Sequence, residues 1–140
     1  MKIEAKNVAK YFYNKNNEFT EKQIQKLTYY AYVWYLTKYK KRLFEESPQA
    51  WIHGPVFMSL YKTMQNNKLI ETSTECLKNN KDMIYVLDVV YKIYGKFSGN
   101  KLEQLTHAED PWKNARKGLE ATERSQKLIS DEDIIAYYSV

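Results

Sequence analysis

Two histidines, His53 and His107, and a single cysteine, Cys76, are the side chains with the most to offer chemically in this 140-residue chain. A thiolate beside an imidazole would make a nucleophile and its base. Cys76 lies in a polar stretch with nothing nearby in sequence to activate it, so it reads as a structural or surface cysteine. There is no His-x-x-x-His and no Cys-x-x-Cys spacing, so no metal centre is expected. Gly95 and Gly99 lack the Lys-Ser/Thr that gives a phosphate loop its chemistry. Asp82/Asp88 and Glu109/Asp110 are carboxylate pairs that ordinary surface charge explains. No catalytic set and no cofactor are expected from these residues.

Two clusters combine aromatics, chain breakers and a histidine. One is Trp51-Ile52-His53-Gly54-Pro55-Val56; the other is Thr106-His107-Ala108-Glu109-Asp110-Pro111-Trp112-Lys113. On a structural reading, Trp51 and Trp112 pin loops to the core while the histidines satisfy buried backbone groups. On a functional reading they form a binding surface, because Trp and Tyr with a few polar groups make good interface anchors.

The element that must position both clusters is a helix over Gln23 to Tyr39. Its centre, Leu27 to Leu36, has Thr28 as its one plainly polar residue. A helix apolar on nearly every face is normally buried among other helices. The run is too short to span a bilayer, which needs about 20 apolar residues. Tyr29, Tyr30, Tyr32, Trp34 and Tyr35 each carry a polar tip that should reach the rim of the core or a binding surface. Thr20-Glu21-Lys22-Gln23 matches a capping box and marks the helix start. Lys38, Lys40, Lys41 and Arg42 crowd the far end, where cations suit the helix dipole.

Further helices are expected over Asn7–Tyr13, Pro55–Gln65, Asp82–Tyr94, Gly99–His107 and Pro111–Arg116, with a last one opening at Ser130-Asp131-Glu132-Asp133. Pro55 is placed at the first helical position, where its missing N–H goes unnoticed. Ser98 caps the helix from Gly99, and Gly95 stops the one before it. Leu69–Thr74 is the one short β segment expected, and 117–130 reads as a loose polar stretch. The fold class is therefore mainly α: a compact single-domain helical bundle, residues 1–140, around a central aromatic-rich helix. The low count of 4 Gly and 3 Pro agrees with few tight turns.

Net charge is +5, and lysine supplies most of the 22 positive charges. Lysine suits a solvated surface better than base readout, where arginine dominates. Nucleic-acid binding is kept only as an alternative. The charged N-terminus has no apolar block after it, so cytoplasmic localisation and no membrane partner are expected.

Three blocks in these elements resemble the SocA-like antitoxin domain, or Panacea domain, also met in phage-associated proteins of the GepA type. Gln25 to Leu36 is similar to the family's K-L-L-Y-Y-A-x-x-W-x-L run. Ala50 to Val56, preceded by Leu43-Phe44-Glu45-Glu46, is similar to its A-W-x-x-G-P-V. Leu102 to Arg116 is similar to its L-x-x-L-T-H-x-x-x-P-W-x-x-A-R. Thr28 in place of a usual Leu, and Phe57-Met58 after Gly-Pro-Val, are the departures. The resemblance implies a mainly helical antitoxin that neutralises a cognate protein toxin, usually encoded by an adjacent gene. Neutralisation would proceed by holding the toxin or by handing it to a cellular protease; catalysis is not implied. With the clusters above, it points to Trp51, His53, Gly54, Pro55, Tyr61, His107, Asp110, Trp112 and Arg116 as the binding surface or its support. The charged 117–130 stretch could serve as an adaptor tail or an ordinary linker. Two further readings are a DNA-binding regulator and an enzyme using His53 or His107.

Overall fold

The computed structural model describes residues 2–139. Helix α1 spans Ala5–Lys15 and α2 spans Glu21–Tyr39. A hairpin of β1, Gln49–Trp51, and β2, Gly54–Val56, leads into α3, Met58–Gln65. A single 3-10 turn at Glu75–Leu77 precedes α4, Lys81–Tyr94. Then come α5, Gly99–His107, α6, Asp110–Ala115, and α7, Asp131–Tyr138.

Helix α2 is the axis. It packs against α1, α3, α4, α5, α7 and β2. Every residue from Ile24 to Val33 is buried, nearly three turns with no solvent face. Its start is the expected one: Thr20 accepts from the Gln23 N–H at 3.1 Å, and Gln23 reaches back to the Thr20 N–H at 2.8 Å. The Ser98 and Ser130 hydroxyls cap α5 and α7 by accepting from the Lys101 and Asp133 N–H groups, without the reciprocal bond. Two of the aromatic tips find polar partners at the ends of other helices, whereas the Tyr29 hydroxyl, expected to reach the rim, stays buried without a hydrogen-bond partner among the described residues. The Tyr32 hydroxyl donates to Asp131 at 2.7 Å, and the Trp34 indole donates to the Tyr94 hydroxyl at 2.9 Å. Arg42 also bonds Asp131, so the end of α2 and the start of α7 share one carboxylate.

Buried polar side chains on α2 have specific tasks. The Gln25 amide donates to the Phe57 carbonyl at 3.2 Å and accepts from the Phe57 N–H at 2.9 Å. That reciprocal pair fixes the joint between β2 and α3: the Phe57 carbonyl also accepts from the Tyr61 N–H of α3, and Gln25 supplies the acceptor for the Phe57 N–H. The Thr28 hydroxyl donates to the Ile24 carbonyl one turn back.

Three expectations are corrected. Pro55 does not open a helix; it sits in β2 opposite Ala50, and α3 begins only at Met58. Proline is tolerated in such a strand because the residue opposite draws its bonds from elsewhere. Ala50 donates to the Lys127 carbonyl and accepts from Arg116. Leu69–Thr74 is a turn followed by irregular chain, not a strand. It follows a helix end where Asn67 takes φ +55° and the Lys68 N–H returns to the Thr63 carbonyl. The 117–130 stretch is not loose throughout. Leu128 bridges to Gln49, the Ile129 N–H bonds the Pro48 carbonyl at 2.8 Å, and Ile129 is buried.

Candidate protein-binding surface

The hairpin β1–β2 carries the first aromatic cluster, and α5–α6 carry the second. The structure brings them together. The Trp112 indole donates to the Trp51 carbonyl at 2.9 Å. The His107 ring stacks on Trp112, with centroids 3.9 Å apart and planes 12° apart. The Arg116 guanidinium lies 5.4 Å from the centroid of the same indole. Arg116 is itself buried and donates to three backbone carbonyls, of Ala50, Glu120 and Glu123. It is a strut that joins the end of α6, the hairpin and the 117–130 stretch.

A second set of contacts sits beneath the hairpin turn. Gly54 has φ +111°, and a Cβ there would stand 2.6 Å from Lys26 Cε and 3.1 Å from Thr106 Oγ1. The Lys26 ammonium is enclosed and donates to the Pro55 carbonyl at 3.3 Å. Beside it, Glu103 accepts from Lys22 at 2.7 Å and pairs with the His53 ring at 3.2 Å. Burial pushes the Glu103 carboxyl up, but Lys22 and His53 together hold it below its ordinary value. His53 is exposed and does not satisfy a buried backbone group. His107 is half-buried, and burial keeps it below the usual histidine value, so the neutral ring is favoured against Trp112.

Lys26 gives a pH signature. Burial, helped by the nearby Lys22 charge, lowers its ammonium from 10.5 to about 7. Between those values the unfolded chain holds a proton that the folded chain has released. Stability therefore rises with pH across that window and carries the full penalty below it. Above pH 10 the trend reverses. Burial raises the hydroxyls of Tyr29, Tyr30 and Tyr138, so the folded chain keeps protons that the unfolded chain gives up. Urea unfolding is expected to show a gain of about 2–4 kcal/mol between pH 7 and 10, then a fall. In Lys26→Met the rise should vanish while the fall above pH 10 remains. A flat wild-type profile would show that the enclosed amine finds compensation in the fold.

Trp51, Ile52, His53, Val56 and Tyr61, with Arg124, Ser125 and Gln126, line an open groove of about 450 Å³. The Trp51 and Tyr61 rings pack with centroids 5.1 Å apart, and Tyr61 keeps 38% of its surface exposed. Of the nine residues singled out in the sequence, Trp51, His53 and Tyr61 line this groove. Gly54, Pro55, His107, Trp112 and Arg116 have their contacts behind it. Asp110 does not join them. It lines a separate groove with Glu109, Trp34 and Tyr94.

Lys26 and Glu103 have no role in the sequence reading and Thr106 appears there only as a cluster member; Glu109, read as ordinary surface charge, instead accepts from the Tyr30 and Tyr138 hydroxyls. One signal for Lys26 was available: it directly precedes the Leu27–Leu36 run on a helix with no polar face to hold it in solvent. Among the described residues, no three His, Cys, Asp or Glu side chains group as metal ligands, and no helix is long and apolar enough to cross a membrane.

The class of protein defined by these features is a mainly α-helical domain with a buried tyrosine-rich axis and a braced hairpin that presents an aromatic groove. The family model described as "Antitoxin SocA-like, Panacea domain" matches residues 24–113, from α2 into α6, and the chain belongs to that family. No curated protein and no solved structure matches the chain.

Proposed function

We propose that this chain is the antitoxin of a toxin–antitoxin pair and neutralises its cognate protein toxin by direct binding at the Trp51–Tyr61 groove. Membership of the antitoxin family supports the role. The observation that carries the surface is the packed pair of half-buried Trp51, on a hairpin braced by Trp112 and Arg116, and exposed Tyr61, on α3. Large rigid aromatics on a braced backbone lose little conformational freedom on binding, which is what an interface hot spot requires. Masking is the role proposed for the groove. The toxin is expected to be encoded next to this chain.

The test is co-expression with the neighbouring open reading frame, followed by pull-down on this chain. Rescue of growth with a stable complex is the expected result. Trp51→Ala and Tyr61→Ala, each checked for an intact helical circular-dichroism spectrum, should weaken toxin binding by about 2 kcal/mol, roughly thirtyfold. Full protection by a folded Trp51→Ala protein would remove the groove from the interface.

A further inference from the structure

The second groove, where Asp110 lies, has a chemistry of its own. It is an open groove of about 620 Å³ between α2, the end of α4, α6 and α7. Trp34, Tyr94, Tyr137 and Tyr138 contribute four aromatic rings to its lining. The Trp34 ring meets Tyr138 edge-on at 5.1 Å, and Tyr138 meets Tyr137 at 4.9 Å and 83°. Tyr94 is fixed from behind by stacking on Tyr30 at 4.1 Å and 6°, and its hydroxyl accepts from the Trp34 indole. These rings form a preset wall, not a mobile surface.

The charged groups of that wall are all of one sign. Glu109, Asp110 and Asp133 line the groove, and no lysine, arginine or histidine does. Among the described residues, none of the three carboxylates forms an ion pair, although the chain carries a net charge of +5. Glu109 is held in place by the hydroxyls of Tyr30 and Tyr138, both donating to it. Aromatic rings and three carboxylates, Glu109 among them fixed, together favour a cation: the ring quadrupoles attract it and the carboxylates neutralise it. A planar guanidinium does both at once, stacking on a ring while it bonds a carboxylate.

We infer that this groove is a docking site for an arginine side chain presented by a protein partner. It shares no lining residue with the Trp51–Tyr61 groove, so it is a second point of attachment. That the arginine belongs to a protein rests on the binding role proposed above; the preference for a guanidinium does not.

The probe is acetyl-arginine amide, with acetyl-citrulline amide as its neutral counterpart. The indole N–H signals of Trp34, Trp51 and Trp112 are followed by nitrogen-15 NMR during titration of the full chain. The expected result is a saturable shift of the Trp34 signal alone, with a dissociation constant of about 1–10 mM. Citrulline should leave it unmoved. The double variant Asp110→Asn/Asp133→Asn should bind the probe roughly tenfold more weakly, with the three indole signals otherwise in place. No shift at Trp34, an equal response to citrulline, or unchanged affinity in the double variant would overturn the assignment. Since no toxin enters this titration, its outcome is independent of the antitoxin reading. In the toxin pull-down, wild-type capture by a double variant that has lost the probe would likewise overturn the groove as a docking site for that partner.

Discussion

Gly54→Ala is expected to destabilise the fold by about 2–6 kcal/mol, a large part of the 5–15 kcal/mol available to a domain of this size. Two causes add. At φ +111° an L side chain meets its own backbone, a conformation that only glycine adopts freely. A methyl group there would also stand 2.6 Å from Lys26 Cε, well inside contact distance. The lysine cannot swing away, because it is 2% exposed and enclosed along its length. A denaturant-unfolding midpoint measures the loss. The causes separate in the Lys26→Ala background, where the lysine clash is removed while the backbone strain and the 3.1 Å approach to Thr106 Oγ1 persist, so Gly54→Ala should cost less there. An equal cost in both backgrounds would mean that the lysine does not restrict the position. A cost below about 1 kcal/mol would show that the hairpin turn relaxes around the new side chain.

Arg116→Ala comes second, with an expected loss of about 3–5 kcal/mol. The guanidinium donates to the carbonyls of Ala50, Glu120 and Glu123, and all of these bonds are lost at once. The Ala50 carbonyl faces Pro55, which has no N–H to offer, so its lost donor cannot be replaced from the opposite strand. The brace against Trp112 goes too. Arg116→Lys should recover only part of the loss, since an ammonium is a point charge without the planar fork that spans several acceptors. Limited proteolysis gives a second readout. Cleavage should begin between Leu119 and Lys127, the stretch that Arg116 ties down, before the helices are cut. Arg124, Ser125 and Gln126 line one groove with Trp51, so toxin binding should weaken in parallel. Protease resistance equal to wild type would assign the anchoring of this stretch to the Leu128 and Ile129 contacts instead.

Both residues belong to blocks visible in the sequence, yet their tasks were not. In the sequence Gly54 reads as a breaker beside a proline and Arg116 as the end of a family-like block, both within the expected binding surface or its support. Their weight comes from partners far along the chain: Lys26 and Thr106 for the glycine, Ala50 for the arginine. Lys26 shows the same gap. Its position in the central helix was plain, but its enclosure depends on β2 and α5 closing over it.

The sequence by itself determined the mainly helical class, the buried central helix, its capping box, the capped starts at Ser98 and Ser130 and the family. Each of the structural features is local, because a cap acts within three residues and an all-apolar run states its own burial. Tertiary structure alone decided the hairpin, the anchoring of 117–130, and the division of the nine singled-out residues between a groove, its support and a second groove. Gly-Pro serves equally at the start of a helix and in a short strand, and only the pairing of Ala50 with Pro55 and the reach of Arg116 select the strand. Asp110 stands beside Pro111 in sequence, yet it faces the aromatic wall of α2, α4 and α7, because α6 starts where those helices converge.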